Sequence, residues 1–236
     1  EAFAVPCDAV HASLAGVARV GLQIMGKPLL GGNSVQPLTD GDHAYPAMLA
    51  AIDAAQHSIT LQTYIFHNDG AGDAFVEALT RAHARGVQVR VLVDAVGARY
   101  RPTGVLKRLR VLGIPCAVFL RPAITRLLSH INLRNHRKIL VVDGVVGFTG
   151  GMNVSAHHWL GLHPVAPAHC LHFEVRGPVV TDMQRIFATD WAFTTRERLH
   201  GTPWFAPPVS SGPVLARGVA DGPDADIGNM RQVILG

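Results

Sequence analysis

The 236-residue chain has few cysteines and no long uncharged apolar run. Cys7, Cys116 and Cys170 are too few and too widely spaced for a disulfide framework or a zinc site, which favours three reduced thiols. The nearest approach to a membrane-spanning stretch, residues 10–26, contains Arg19 and is not a clear transmembrane helix. Together with 48% hydrophobic and 16% charged residues, these absences indicate a folded globular protein.

Acidic residues are missing from the 48 residues between Asp94 and Asp143. That block has a formal charge of +10, whereas the rest of the chain has −6. Concentrated positive charge attracts anions, and the phosphates of lipid headgroups, nucleic acids or other phosphodiesters are the usual ligands. A solvated basic surface is the alternative from charge alone. The basic residues are Arg99, Arg101, Lys107, Arg108, Arg110, Arg121, Arg126, Arg134, Arg137 and Lys138.

Apolar periodicity predicts strands alternating with helices from about residue 43 onwards. The predicted helices are residues 43–57, 73–85, 104–112 and 178–193, and the predicted strands are 58–66, 87–94, 116–120, 138–142, 145–149 and 171–175. Asp143-Gly144 between two apolar runs predicts a β-hairpin. The alternation predicts an α/β fold with a mixed, largely parallel sheet flanked by helices on both faces.

Composition divides the chain into four predicted segments. Residues 1–35 are an apolar, glycine-rich leader that ends in a turn at 31–34, and residues 36–200 are the first compact lobe. Four prolines indicate a linker at 201–213, and 214–236 is interpreted as the beginning of a second, truncated lobe. Residues 10–25 suit either a membrane surface or, as we favour, packing against the domain.

The chemically most capable residues lie between 136 and 153. His136 and Lys138 are two residues apart, so their side chains project to the same side of a strand. The return strand of the hairpin brings Gly150-Gly151 and Asn153 near the His136 end. Two glycines there allow a substrate to approach the backbone closely. The pattern predicts a phosphate-handling site at this end of the sheet.

These residue types suffice for phosphodiester substitution. A neutral imidazole is a nucleophile at phosphorus, a fixed ammonium neutralises a phosphate oxygen, and an amide donates to another. The set allows two steps through a phosphohistidine without a metal or another cofactor, provided that a second group protonates the leaving alcohol. Taken singly, Asp143 also suits a turn, Lys138 a strand end, and His136 a hydrogen-bonded position at the mouth of a sheet.

Other polar residues near the motif have two interpretations each. Seven of the thirteen histidines lie within residues 130–172, but without paired carboxylates or cysteines at ligand spacing we predict no metal site. His172 either lines the pocket or is a buried, hydrogen-bonded side chain. Arg134 and Arg137 either bind headgroup phosphates or are surface charges.

His136, Lys138, Asp143, Gly150, Gly151 and Asn153 together resemble the signature of the phospholipase D superfamily, with its HKD motif. The segments "NLRNHRKILVVDGVVGFTGGMN" (132–153) and "SITLQTYIFHNDGAGDAFVEAL" (58–79) are similar to bacterial cardiolipin synthases and their close relatives. The similarity covers roughly residues 31–236. It implies a phospholipase D-like lobe, of which the family has two that share one active site.

The resemblance also implies roles. His136 would be the nucleophile, Lys138 would bind phosphate with Asn153 beside it, and Asp143 would support the geometry of the site through hydrogen bonds. The implied reaction is phosphatidyl transfer between two phosphatidylglycerols, which gives cardiolipin and glycerol. The implied location is the bacterial cytoplasmic membrane, with the chain peripheral or anchored by segments outside it.

The sequence departs from the family pattern in two ways. It has one motif, so the chain is interpreted as an N-terminal fragment whose site is completed by a second lobe or by a homodimer partner. Cys170 also stands where relatives commonly have Asp.

Two alternative functions stay open: a phosphodiesterase or nuclease completed by homodimerisation, and a non-catalytic module that binds anionic lipid. Nucleic acid is not the expected partner, since no basic groove interleaved with aromatic residues is visible.

Overall fold

The computed structural model describes residues 2–94, 104–119, 136–220 and 231–233. The helices are α1 Ala15–Met25, α2 Asp40–Ala54, α3 Gly70–Ala84, α4 Gly104–Val111 and α5 Val180–Thr195. The strands are β1 Ala4–Val5, β2 Leu29–Thr39, β3 Ser58–Thr63, β4 Gln88–Asp94, β5 Cys116–Phe119, β6 Ile139–Val142, β7 Val146–Gly150, β8 Leu171–Arg176 and β9 Val214–Ala216. Short 3₁₀ turns lie at Cys7–Ala9, Ala12–Leu14, Ala156–His158 and Leu160–Leu162.

The described strands form one mixed sheet in the order β1-β2-β8-β7-β6-β3-β4-β5, with β9 on β2. This confirms the predicted α/β class with helices on both faces. The expected parallel majority is wrong, because only β3–β4 and β4–β5 pair in parallel among these strands. Parallel pairs need helical crossovers, which α3 and α4 provide, whereas the motif strands are joined by a tight hairpin and must be antiparallel.

Helices cover the sheet on both sides, and the side chains of β3 show the division. Ile59 and Leu61 pack into the core beneath α2 and α3, where Phe75 and Leu79 are fully buried. Thr60 and Gln62 project to the opposite side and bond to α5. Because β3 is covered on both faces, all six of its residues are buried, which holds the strand beside the motif in a fixed position.

The hairpin prediction is confirmed. Three residues, 143–145, connect β6 to β7; Asp143 and Gly144 have φ values of 54° and 65°, and the amide of Val145 donates to the carbonyl of Val142 at 3.0 Å. Two central residues with positive φ form a tight turn whose twist matches that of antiparallel strands. The turn sets the register of β6 against β7, which pairs Ile139 with Thr149.

The predicted turn at residues 31–34 is wrong, because these residues lie inside β2. Gly32 has a φ of 81°, and the register with β9 shifts between Leu30 and Asn33, so the glycines form a bulge rather than a chain reversal. The buried side chain of Asn33 fixes the bulge by donating to the carbonyls of Leu30 and Val214 and accepting from the amide of Val179.

The two ends of the described chain join the same sheet. β2 spans the predicted boundary at residue 35, β1 pairs with it, and β9 pairs with it from the other end of the chain. The division into a leader, a lobe, a linker and a second lobe stays a prediction. α1 packs through Ala18 and Gly21, and the guanidinium of Arg217 donates to the carbonyl of Ala18 at 3.1 Å.

Candidate active site

His136 and Lys138 lie on the segment that enters β6, at the edge of the sheet where β3 ends. The ring centroid of His136 is 4.2 Å from that of Tyr64, the residue after β3. The Nζ atom of Lys138 is 5.7 Å from the same tyrosine ring and donates to the carbonyl of His136 at 2.7 Å. β3 and β6 are antiparallel neighbours, so the end of one strand meets the start of the other. The structure therefore brings both motif side chains to Tyr64.

Burial and nearby charge oppose each other at Lys138. Partial burial lowers the pKa of its ammonium, while the Cys170 thiol and the Asp94 carboxyl raise that pKa. Asp94 is itself buried at the end of β4. A less hydrated ammonium interacts more strongly with an arriving phosphate than one in bulk water.

His172 lies behind Lys138 on β8 and is 1% exposed. Burial lowers the pKa of its imidazole to about 4, and the charge of Lys138 acts in the same direction. The ring is therefore neutral near pH 7. Its Nδ1 atom is buried without a hydrogen-bond partner in the described part of the chain. His172 is therefore a buried side chain, and it also lines a small void together with Lys138 and Asn153.

Gly150 and Gly151 make room for β8. A Cβ atom at Gly150, whose φ is 152°, would lie 2.7 Å from the Cα of His172 and 2.8 Å from its Nδ1. A Cβ at Gly151 would overlap the Sγ of Cys170. Close packing of β7 against β8 explains both glycines. Their expected role in substrate approach stays a prediction.

Asn153 lies beside Lys138 and is held by two neighbouring segments. Its Oδ1 accepts from the amide of Ile65 at 3.1 Å, and its carbonyl accepts from the hydroxyl of Tyr45 at 2.6 Å. These contacts connect Asn153 to the chain that follows Tyr64. With its oxygen occupied, the side chain presents its amide N–H groups, which are the donors that a phosphate oxygen needs.

Asp143 is not brought to this cluster. It lies at the other end of β6, roughly 16 Å along the strand from Lys138 at about 3.3 Å per residue. Its carboxylate accepts from the amides of Gln56, His57 and Ser58 at 2.9, 2.7 and 2.9 Å. Asp143 therefore connects the start of β3 to the end of β6. A direct catalytic role for Asp143 stays a prediction, and its distance from Lys138 does not favour that role.

Arg137 projects to the opposite side of the sheet, towards α5. Its Nη1 lies 2.7 Å from both carboxylate oxygens of Asp190, and the Nε2 of Gln62 donates to the same carboxylate at 2.7 Å. The two ionic side chains are 12% and 9% exposed, so this is a buried ion pair. Its guanidinium is engaged within the lobe rather than beside Lys138. Arg134 lies outside the described residues.

Cys170 lies next to the site with a free thiol. Its amide donates to the Oδ1 of Asp40 at 2.7 Å, and this bond, with one from His169, lowers the pKa of the Asp40 carboxyl.

No group of three or more His, Cys, Asp or Glu side chains in the described ranges is arranged to hold a metal ion. Within those ranges, no helix is long and apolar enough to cross a membrane.

Sequence reasoning missed Tyr64, Asp94, Asp190 and Gln62. Tyr64 and Asp94 end neighbouring strands, and their meeting with the motif depends on the strand order. Asp190 is separated from Arg137 by 53 residues, and its position on a helix gives no local signal of an ion pair. Knowledge of the strand order is the signal that would have found Tyr64, because residues at the ends of adjacent strands meet at one edge.

Comparisons with known proteins identify the family and the fold. A family model described as "Cardiolipin synthase, PLD-like domain" matches residues 48–191. Cardiolipin synthase A of Pseudomonas putida (strain GB-1) is 40% identical over 171 residues, which are 72% of this chain and 36% of that protein. Cardiolipin synthase A of Pseudomonas fluorescens (strain SBW25) is 35% identical over 197 residues, 84% of this chain and 40% of that protein.

Two solved structures share the fold. The phospholipase D family member Nuc from Salmonella typhimurium has a TM-score of 0.54 and 20% identity, and the match covers 72% of this chain and 99% of that one. NucT from Helicobacter pylori has a TM-score of 0.53 and 13% identity, with 70% and 98% covered.

The fold and the motif together define a phospholipase D-like protein, and this confirms the resemblance seen in the sequence. Within that superfamily, the chain belongs to the family of cardiolipin synthase PLD-like domains. It spans less than half the length of the curated relatives that it matches.

Proposed function

We propose that the chain supplies one half of the active site of a phosphatidyltransferase that makes cardiolipin from two phosphatidylglycerols. The supporting observation is the cluster of His136, Lys138 and Asn153 around the ends of β3 and β6. The second half would come from another motif-bearing lobe of a longer chain or from a homodimer partner. The reaction would take place at the bacterial cytoplasmic membrane, with the chain peripheral or anchored by other segments.

His136 would act as the nucleophile. An imidazole nitrogen forms a bond to phosphorus, and the bond from phosphorus to the headgroup glycerol oxygen breaks. The leaving glycerol takes its proton from a general acid in the second half of the site. The glycerol hydroxyl of a second phosphatidylglycerol then gives its proton to that same group, which is now a base, and attacks the phosphohistidine; the bond from phosphorus to nitrogen breaks, which releases His136 and forms cardiolipin. Use of an alcohol instead of water distinguishes the transferase from a hydrolase.

Lys138 and Asn153 would stabilise the charge that develops on phosphorus. The Lys138 ammonium, partly shielded from water, pairs with one non-bridging oxygen, and the Asn153 amide donates to another. Tyr64 packs against the His136 ring, with the two ring planes tilted by 44°. None of these contributions requires the Asp190 side of the sheet, where Arg137 is engaged.

The test is turnover of phosphatidylglycerol liposomes by the full-length protein and by the 236-residue chain, with chelator present. We expect the full-length protein to form cardiolipin and His136→Ala to lose at least about a thousandfold in rate, since no other group replaces a covalent nucleophile. His200→Ala, at an exposed histidine, is the matched control. If the second half of the site comes from another lobe of a longer chain, the 236-residue chain alone should show no turnover.

Each alternative has its own outcome. Turnover by the 236-residue chain that His136→Ala abolishes would mean that two copies pair, so that the second half of the site comes from a homodimer partner and not from another lobe of a longer chain. Phosphatidic acid in place of cardiolipin, or cleavage of DNA, would contradict the transferase. Liposome binding unchanged by His136→Ala, with no turnover by the full-length protein, would support the non-catalytic lipid-binding module.

A further inference from the structure

A cavity of about 490 Å³ lies on the α5 side of the sheet, directly beside the motif segment. Its volume falls within the range of roughly 300–1,000 Å³ that is typical of small-molecule sites. Its walls are mostly aliphatic and come from β2, β8, the α5 region and the segment after β9. The principal wall residues are Val35, Val175, Val179, Met183, Ile186 and Val219.

The aliphatic wall on α5 follows from helical spacing. Val179, Met183 and Ile186 are four and three residues apart, so they lie along one face of the helix and its first turn. Ile186 is half-buried, which leaves part of its side chain facing the open space. Met183, which also lines the cavity, approaches Gly147 closely and so brings α5 down onto β7.

The rim of the cavity has the opposite character. His136, Arg137 and Lys138 contribute to the lining, and Arg217 is a further basic residue there. A ligand that reaches from the motif segment into this space would place an anionic group at the motif and an apolar chain against the aliphatic walls. A peptide or a protein loop would bury backbone N–H and C=O groups against walls that offer few hydrogen-bond partners, which is costly.

We propose that this cavity holds one alkyl chain of the phospholipid whose phosphate lies at His136 and Lys138. The inference rests on the proposed function and adds a chain-binding subsite to it. Burial of the chain would orient the reacting phosphate towards the imidazole, because binding energy from a remote part of a substrate fixes its reacting centre. The subsite also provides an apolar path for a chain that leaves the bilayer.

The test compares alkyl phosphates of different length, used below their micellar concentrations. We expect decyl phosphate to bind the 236-residue chain at least tenfold more tightly than butyl phosphate by calorimetry, since each buried methylene strengthens binding up to about fourfold. Ile186→Trp projects an indole into the cavity and obstructs it, so the tenfold preference for decyl phosphate should be lost. Thr189→Trp, on the exposed side of the same helix, is the matched control and should keep the tenfold preference.

A second measurement tests the subsite in the wild-type chain, so that the proposal stays testable if Ile186→Trp does not fold. Decyl phosphate with a terminal diazirine should label wild-type residues within 179–186 when it is irradiated. A tenfold preference that survives in folded Ile186→Trp, or labelling confined to other segments, would overturn the subsite. So would self-association of the chain that Ile186→Trp abolishes without any chain-length effect.

The subsite and the proposed function can fail separately. Cardiolipin synthesis without a chain-length preference in binding would overturn the subsite and leave the transferase. A chain-length preference that Ile186→Trp removes, in a full-length protein that makes no cardiolipin, would retain the subsite and remove the transferase.

Discussion

At the scale of single residues, His172 shows how burial sets a protonation state beside the site. The imidazole is nearly inaccessible, and burial together with the charge of Lys138 lowers its pKa to about 4. A neutral imidazole adds no further positive charge to the cluster. Lys138 is thus the described cation closest to the small void that it shares with Asn153 and His172.

We predict that His172 makes the fold sensitive to acid. Its pKa is about 4 when folded and near 6.5 when unfolded, so the unfolded state binds more protons between those values. The stability that the neutral ring contributes is complete above pH 6.5 and is lost as the pH falls towards 4. The total loss is roughly 3 kcal/mol. Urea unfolding at pH 7.0 and 4.5 should show a larger loss for the wild type than for His172→Gln.

His200→Gln provides the comparison for that measurement. His200 is exposed, so its replacement should leave the acid sensitivity as it is in the wild type. Equal losses for His172→Gln and the wild type would show that other groups cause the acid sensitivity.

At the scale of secondary-structure elements, the hairpin turn joins two strands that are distant in sequence. Asp143 accepts three amide N–H groups from the chain that enters β3, in addition to its place in the turn. It therefore fixes the start of β3 relative to the end of β6. The motif residues lie at the other ends of both strands, so their spacing depends on this connection.

We predict that Asp143→Ala destabilises the fold by about 2–3 kcal/mol, through unsatisfied amides and the positive φ. Asp143→Gly should cost less, because glycine adopts that φ freely. In the full-length protein, folded Asp143→Asn should keep most of its turnover, because the carboxylate is distant from Lys138. Chemical unfolding and liposome turnover measure the two effects, and loss of turnover in folded Asp143→Asn would indicate a catalytic role.

The connection between α5 and the motif segment depends on a buried ion pair. Arg137 lies between His136 and Lys138 in sequence, and Asp190 holds its guanidinium from α5, with Gln62 bonded to the same carboxylate. The segment 136–138 precedes the regular strand, so side-chain contacts contribute to its position. This pair fastens the motif segment to α5 on one side of the sheet.

We predict that Asp190→Asn destabilises the fold by about 3–5 kcal/mol, because it leaves a buried guanidinium without its carboxylate. The double variant Arg137→Met/Asp190→Asn should recover most of that loss, since it removes the buried charge as well. Urea unfolding measures both. A cost below about 1 kcal/mol for the single variant would mean that the pair is solvated like a surface salt bridge.

At the scale of the whole molecule, Asn33 connects parts of the chain that are far apart in sequence. Its side chain bonds to β2, to β9 and to the amide that precedes α5, and it is fully buried. The wall of the proposed chain-binding cavity includes residues from all three of these regions. The bulge at Gly32 and the cavity therefore depend on the same long-range contacts.

We predict that Asn33→Ala costs about 2–4 kcal/mol, because the buried amide of Val179 and two carbonyls lose their partner. Asn33→Asp keeps an acceptor for the Val179 amide, so it should cost less than Asn33→Ala while its carboxyl is protonated. Ionisation of this buried carboxyl next to two carbonyl oxygens should raise the cost of Asn33→Asp as the pH rises. Hydrogen exchange should show faster exchange at β9 and at the start of α5. Unchanged protection at both would contradict the connecting role.

Local patterns in the sequence determined several elements of the fold. The alternation of valines at 87–93 predicts a strand, and β4 is Gln88–Asp94. Asp143-Gly144 predicts the hairpin because both residues tolerate a positive φ. The spacing of His136 and Lys138 predicts a shared location, and both contact Tyr64. Each of these predictions depends on residues only a few positions apart.

Only the tertiary structure decided the features that depend on distant contacts. Residues 31–34 have the composition of a turn but form a bulge, because β9 and Val179 satisfy the polar groups of Asn33. The position of Arg137 was open in the sequence, and Asp190 on α5 determines it. The cavity beside the motif exists because β2, β8, α5 and the segment after β9 converge there. Packing between such remote segments leaves no local periodicity from which it could be predicted.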